Sequence, residues 1–212
     1  MKRLILIALA TVSFIFPAAL RASQHLWDIQ EVFTNADGSI QFIEFFNNFS
    51  GEQFLNNFTI TEMNGANTLS TFTFPNDLPL NSPLAGHPNT ASTTANQTFL
   101  VATANFESLF GIVPDYIIPA GFLTAGAGNV LDYNVSPLES LSLSNLPTDG
   151  FQSLNGLPGD EDPSHFSINS TATPKNFRGE TAVVPEPVTS ATLILGTLLL
   201  AGTCRRRRRS SR

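Results

Sequence analysis

Cysteine is almost absent from this 212-residue chain, which contains only Cys204. A single thiol cannot form a disulfide within the chain, so packing and hydrogen bonds must hold the fold together. The sequence also lacks the Gly-x-Ser-x-Gly motif of a serine hydrolase, and its three histidines, His25, His87 and His165, do not have metal-ligand spacing. We therefore expect a protein without catalytic residues and without a cofactor, with a bound calcium ion left open.

Basic residues are nearly absent from the middle of the chain. Between residues 22 and 187 there are 17 acidic residues but only Lys175 and Arg178, which gives a formal charge of −15. Nucleic-acid binding depends on Lys and Arg contacts to phosphates, so this charge argues against a nucleic-acid partner. Cations, or neutral and cationic extracellular polymers, fit the composition better.

The C-terminal region contains a membrane-targeting pattern. The sequence Val184-Pro185-Glu186-Pro187 is followed by an uncharged run over residues 188–204 and by five basic residues, Arg205, Arg206, Arg207, Arg208 and Arg209. An apolar helix that ends in cationic residues is typical of a membrane segment whose charged end stays in the cytoplasm. Seventeen helical residues span roughly 25 Å, less than the hydrocarbon core of roughly 30 Å. We expect a transient anchor over 188–204 and a basic cytoplasmic tail over 205–212.

The N-terminal residues have the order of a secretory signal peptide. Lys2 and Arg3 precede an apolar stretch over 4–16, and small residues follow up to Ala22. We expect Sec-dependent export and cleavage after Ala22. The remaining chain then divides into one exported domain over 23–178 and a linker with the Pro-Glu-Pro motif over 179–187.

The order of Pro-Glu-Pro motif, apolar run and arginine cluster resembles the PEP-CTERM sorting signal of Gram-negative bacteria. The resemblance implies processing by an exosortase, a transient position in the inner membrane, and a final location at the cell surface or in the extracellular matrix. It also implies a role with exopolysaccharide in biofilms. We therefore expect a noncatalytic envelope or matrix protein; the alternatives are a calcium-dependent adhesion module and a secreted hydrolase with an unrecognised site.

The composition of the exported domain indicates an all-β sandwich or barrel. Helical periodicity is nearly absent, and 14 Gly and 14 Pro punctuate short alternating apolar runs that are rich in Phe. The alternation predicts strands at 27–33, 40–46, 54–62, 70–74, 98–103, 116–118, 140–143 and 166–168. One short helix is predicted at 106–110, with Asn105 as its N-cap and Gly111 as its left-handed stop. Segments 76–94 and 146–164 are predicted to be exposed loops.

Three segments at the start of the domain, residues 27–33, 42–47 and 54–60, resemble the opening strands of a lamin tail domain. In that family a strand carrying Glu leads to a Trp-Ile-Glu strand, where this chain has Phe42-Ile43-Glu44. The resemblance covers residues 25–178. It implies an immunoglobulin-like β-sandwich that serves as a binding or structural module without a catalytic centre.

Two glutamates in these segments are predicted to lie close together. If Asp37 and Gly38 form a two-residue hairpin turn, the numbers of facing residues sum to 75 and Glu31 lies opposite Glu44. A four-residue loop would instead make them diagonal neighbours on one face. In the first register the same face also carries Trp27, Ile29, Phe33, Phe42 and Phe46.

Facing carboxylates in a half-buried sheet require compensation. Like charges so close are destabilising, and one pKa should rise unless a cation intervenes. Three arrangements stay open for Glu31 and Glu44: a proton or hydrogen-bond network, a salt bridge from Arg178 or Lys175, and a bound cation such as calcium.

A second acidic cluster lies in the turn over residues 159–162. Asp160 and Asp162 are candidate cation-binding or structural carboxylates, but the turn lacks the ligand spacing of an EF-hand loop. A solvated turn is the commoner outcome for such a sequence.

Overall fold

The structure is a computed structural model, and it describes residues 26–80, 92–133, 139–158 and 162–184. Several predicted features lie outside these residues: the signal peptide, Pro185, Glu186, Pro187, the apolar run over 188–204, the arginine cluster Arg205–Arg209, and Asp160. Within the described part of the chain, no helix is long and apolar enough to cross a membrane.

The described residues are mostly β-structure, and the prediction of an all-β domain is confirmed. The strands are β1 Asp28–Thr34, β2 Gln41–Asn47, β3 Thr59–Asn64, β4 Asn67–Thr73, β5 Gln97–Thr103, β6 Tyr116–Ile118, β7 Asn129–Tyr133, β8 Glu139–Ser142, β9 Ser153–Asn155 and β10 Ser167–Asn169. Helix α1 is Phe106–Phe110, and Pro163–His165 form one 3₁₀ turn.

The strands form two sheets that pack face to face. The larger sheet has the order β10-β9-β1-β2-β5-β6 and the smaller one β4-β3-β7-β8. Neighbouring strands are antiparallel except β5 and β6, which are parallel. Ile43 and Phe45 of the larger sheet share one buried cluster with Ile60 and Tyr133 of the smaller sheet. The domain is therefore a sandwich with its main core between the sheets.

The larger sheet is covered on its other face as well. Phe33 and Phe42 lie there in a second buried cluster with Phe106 and Phe110 of α1 and with Val184 near the end of the described chain. Because the inner strands of this sheet are covered on both faces, nearly every residue of β1, β2 and β5 is buried, and burial does not alternate along these strands.

The hairpin between β1 and β2 has the expected register but a different turn. Glu31 faces Glu44 and Thr34 faces Gln41, so the predicted partner sum of 75 is confirmed. The turn hydrogen bond, however, runs from the Gly38 N–H to the Asn35 carbonyl at 3.2 Å, so Ala36 and Asp37 are its central residues. Gly38 follows them with a φ of 69°.

A β-bulge at Gln30 corrects one prediction about this hairpin. Ile29 pairs with Phe45 and Glu31 with Glu44, so Gln30 is an extra residue in β1. An inserted residue reverses the alternation beyond it. Trp27 and Ile29 therefore lie in the core between the sheets, and the prediction that they share a face with Glu31 is wrong.

Other boundaries differ from the sequence predictions in identifiable ways. β9 lies inside the predicted loop 146–164, where Ser153 and Leu154 are buried; three residues are too few to produce an alternating pattern. β7 was not predicted, and β3 begins at Thr59, five residues after its predicted start.

Helix α1 has its predicted bounds, and one of its two predicted caps is confirmed. Gly111 is left-handed with φ 73°, and its N–H donates to the Glu107 carbonyl. The Asn105 side chain makes no capping bond; instead the Ser108 hydroxyl donates to the Asn105 carbonyl at 2.6 Å. The N-cap prediction is therefore wrong.

We expect Gly38→Ala to destabilise the domain by roughly 2 kcal/mol, because left-handed backbone costs an L-residue roughly 1–2 kcal/mol and the added Cβ would lie 3.3 Å from Gly121 Cα. Gly65→Ala is the matched control, since Gly65 has φ 57° but nothing within 4 Å of its Cβ position. Urea unfolding measures both. Equal losses would show that the contact with Gly121 is unimportant.

Candidate functional site: a carboxylate row beneath a C-terminal strap

Residues 172–184 form a hairpin on the outer face of the larger sheet, which we call the strap. Its inner arm is 172–178 and its outer arm 179–184. The Val184 N–H donates to the Ala172 carbonyl at 3.2 Å and the Ala182 N–H to the Pro174 carbonyl at 3.0 Å. Val184 is only 3% exposed. Residues 179–184 are therefore packed against the domain, whereas the sequence suggested a linker there.

Alternate backbone N–H groups of the inner arm donate to three buried carboxylates, which we call the carboxylate row. The Thr173 N–H donates to Glu31 Oε1 at 3.0 Å, and the Lys175 N–H donates to Glu44 Oε2 at 2.5 Å. The Phe177 N–H donates to Asp115 Oδ2 at 2.8 Å. Every second N–H of an extended chain points to the same side. The carboxylates thus take the place of a neighbouring strand's carbonyl oxygens.

The sheet register lines up the three carboxylates. Glu31 of β1 faces Glu44 of β2, and Glu44 faces Leu100 of β5. The Leu100 N–H donates to Asp115 Oδ2 at 2.8 Å, and Asp115 directly precedes β6. The row therefore crosses four adjacent strands, and the inner arm of the strap crosses them with it.

Glu31 is held by hydrogen-bond donors on both sides. Its Oε1 accepts the Ser153 hydroxyl of β9 at 2.5 Å, and its Oε2 accepts the Thr173 hydroxyl at 3.4 Å. The residue is 1% exposed. Burial raises the pKa of Glu31 although these donors oppose the shift.

Glu44 has the stronger perturbation of the facing pair. It is 5% exposed, and burial raises its pKa well above the usual range, with the charge of Glu31 adding to the effect. The Lys175 N–H opposes the shift. Of the three compensations left open by the sequence, the structure shows a hydrogen-bond network supplied by the strap.

The Arg178 side chain contacts Asp115, Glu180 and the carbonyl of Val113. Its Nη1 lies 3.5 Å from Asp115 Oδ1, and both side chains are almost fully buried. Its Nε lies 3.3 Å from Glu180 Oε2, and its Nη2 donates to the Val113 carbonyl at 2.6 Å. Burial raises the pKa of Asp115 to about 6, although two N–H donors and Arg178 lower it.

Asp115 is the member of the row that sequence reasoning missed. It is a single acid next to a three-residue strand, without a second charge nearby in the sequence. The available signal was indirect: Arg178 is one of two basic residues in an acidic domain, and a buried guanidinium requires a carboxylate partner.

Asp162, the other described carboxylate candidate, caps the 3₁₀ turn. Its Oδ1 accepts the Ser164 N–H at 2.9 Å, and hydrogen bonds from the Ser164 hydroxyl and from this N–H lower the pKa of Asp162. The side chain is 53% exposed and lies 3.8 Å from His165 Nε2. Among the residues that the structure describes, no group of three or more His, Cys, Asp or Glu is placed to hold a metal ion.

The carboxylate row can bind an extended backbone, and in this protein the backbone is the strap itself. The three acids are covered by the strap, so a solute cannot contact them while the strap is in place. Comparisons of the chain with protein-family models, with curated proteins and with solved structures find no match. Any assignment of function therefore depends on the geometry of the strap and on the sequence of the tail that comes after it.

We expect Glu44→Gln to change how stability depends on pH. Because folding raises the pKa of Glu44, its contribution to the free energy of unfolding is complete below the usual value of 4.5 and is lost as the pH rises through the folded pKa. Glutamine does not titrate, so the variant should gain stability relative to the native protein between about pH 5 and about pH 8. Urea unfolding at both pH values measures this difference.

Asp37→Asn is the matched control for this titration. The Ser39 hydroxyl lowers the pKa of Asp37 below its usual 3.8, so its contribution is lost only in more acidic solution. A constant difference between Glu44→Gln and the native protein across the range would contradict the argument.

We expect Asp115→Asn to lower the free energy of unfolding by about 3 kcal/mol, because the change removes the buried carboxylate that pairs with the buried guanidinium of Arg178. Arg178→Met in the Asp115→Asn background should cost much less than Arg178→Met alone. Urea unfolding of the four proteins gives the coupling energy. Additive losses would show that the ion pair does not hold the strap.

Proposed function

We propose that this protein is an exported, noncatalytic component of the cell envelope or extracellular matrix of a Gram-negative bacterium. Its C-terminal region acts as a PEP-CTERM sorting signal that an exosortase processes. The proposal combines the sequence of both ends with the packing of residues 179–184 against the domain.

The observation that carries the proposal is that the Pro-Glu-Pro motif directly follows a residue packed into the domain. Val184 is buried against the second core, and the next residue in the sequence, Pro185, begins the Pro-Glu-Pro motif. The motif therefore begins one residue after a buried position of the folded domain. This position is what a sorting signal attached to a folded cargo would have.

A finer statement of the fold belongs to the same proposal. We assign the exported domain to an immunoglobulin-like sandwich related to lamin tail domains. β1 and β2 coincide with the first two resembling segments, β3 begins within the third, and two sheets enclose the core. Such domains serve as binding or structural modules, which agrees with a noncatalytic role.

The side chains on the outer face of the smaller sheet are an argument for a hydrated, uncharged partner such as exopolysaccharide. Thr59 faces Thr73, and Thr61 faces Thr71 across β3 and β4. These four hydroxyl-bearing side chains are all partly or fully exposed. Hydroxyl groups both donate and accept hydrogen bonds, so the face suits neutral glycans better than charged polymers.

Replacing Arg205–Arg209 with serine should stop sorting, because the arginines hold the end of the apolar run on the cytoplasmic side. In a host that contains an exosortase, the native chain should lose its tail and leave the inner membrane, whereas the variant should keep its full mass. Immunoblotting of cell fractions and mass spectrometry measure both. Arg212→Ser is the control and should behave like the native chain.

The proposal fails if the native protein carries an intact tail at its final location. It also fails if the full-length chain stays in the cytosol with both ends uncut.

A further inference from the structure

We propose that the strap is a latch whose outer arm must open before the tail can be cleaved. The inference rests on the proposed function, because it concerns access to the same sorting motif. The closed strap holds the chain up to Val184, so a processing enzyme cannot enclose the residues that precede the motif.

The closed latch covers the residue that directly precedes the motif. Four Cα-to-Cα steps separate Val184 from Val188, the first residue of the apolar run, and they reach roughly 14 Å at most. The N–H of Val184 is bonded to Ala172 and its side chain is buried. An enzyme that must also bind residues before the motif therefore cannot contact the side chain or the N–H of Val184 while the strap is closed.

The two arms of the strap are held with different strength. The outer arm is attached by backbone bonds to the inner arm and by the packing of Ala182 and Val184. Val183 and Thr181 face solvent. The inner arm has the carboxylate row, the buried Arg178 and the buried Phe177. Opening therefore begins at the outer arm.

Opening of the outer arm alone frees enough chain for processing. Six residues, 179–184, add roughly 20 Å of extended chain. The inner arm stays bonded to Glu31, Glu44 and Asp115. The tail can therefore be removed without exposing the second core fully, and the domain remains folded after cleavage.

A disulfide between the two arms tests the latch. Lys175 and Thr181 face each other, flanked by the bonds from Ala182 N–H to Pro174 and from Asn176 N–H to Glu180. This pattern marks a non-hydrogen-bonded antiparallel pair, with Cα atoms about 4.5 Å apart, a spacing that accepts a disulfide. The double variant Lys175→Cys, Thr181→Cys is made with Cys204→Ser, so that only one pair can form.

The full chain is expressed in a host that contains an exosortase, and loss of the tail is followed by mass over time. We expect the oxidised variant to lose its tail at least tenfold more slowly than the same variant reduced with dithiothreitol. Lys175→Ser, Thr181→Ser in the same background is the matched control and should match the reduced form. Val184→Ser, which weakens the packing of the outer arm, should be processed several-fold faster than the native chain.

The outcomes separate the latch from the sorting proposal. Equal rates for oxidised and reduced protein, with the native chain processed, overturn the latch and leave sorting intact. If the native tail is never removed, the sorting proposal is overturned. The latch is then decided with proteinase K on the full chain in detergent micelles: slower cutting at residues 179–187 in the oxidised form supports it, and equal cutting overturns it.

Discussion

The hydrogen bonds between the inner arm and the carboxylate row set the main constraint on this domain. Glu31, Glu44 and Asp115 lie on a sheet face whose other buried side chains are aromatic and aliphatic, and buried carboxyl groups must find donors. The strap has the complementary need, because the N–H groups of a chain crossing a sheet face have no neighbouring strand. The N–H groups of the strap supply donors to the carboxylates, and the carboxylates supply acceptors to the strap. Removing either would leave unpaired polar groups beside the second core, which is costly.

This arrangement changes how the acidic composition should be interpreted. The formal charge of −15 between residues 22 and 187 counts every carboxylate equally. Glu31, Glu44, Glu52 and Glu62 are each 5% exposed or less, and the Asp115 side chain is 4% exposed. A raised pKa further reduces the charge that buried acids carry. The surface is therefore less negative than the composition indicates, and a strong attraction for cations no longer follows from composition alone.

The sequence was sufficient for features that depend on local patterns. The alternation of apolar and polar residues predicted β1 and β2, and the Asp-Gly turn signal led to the correct register between them. Helix α1 was predicted from Phe106, Phe110 and the glycine that follows, Gly111. The pairing of Glu31 with Glu44 followed from that register. The bulge at Gln30 was not predicted from the local pattern; in the fold, the Gln30 side chain donates to the carbonyl of Gly156, which lies 126 residues away. For the same reason, the sequence predicted only Glu31 and Glu44 of the carboxylate row. Asp115 belongs to the row through the hydrogen bonds that it accepts from the Leu100 and Phe177 N–H groups, which are distant in sequence.

The bonds of the strap also impose an order on assembly. The Thr173 to Glu31 bond joins residues 142 positions apart, and the Lys175 to Glu44 bond joins residues 131 apart. Contacts of such sequence separation form late, because the intervening chain must be ordered first. A chain that is made N-terminus first contains the strands of its larger sheet before its strap. Folding of the domain is therefore completed only when residues 172–184 are present, and these residues come just ahead of the Pro-Glu-Pro motif.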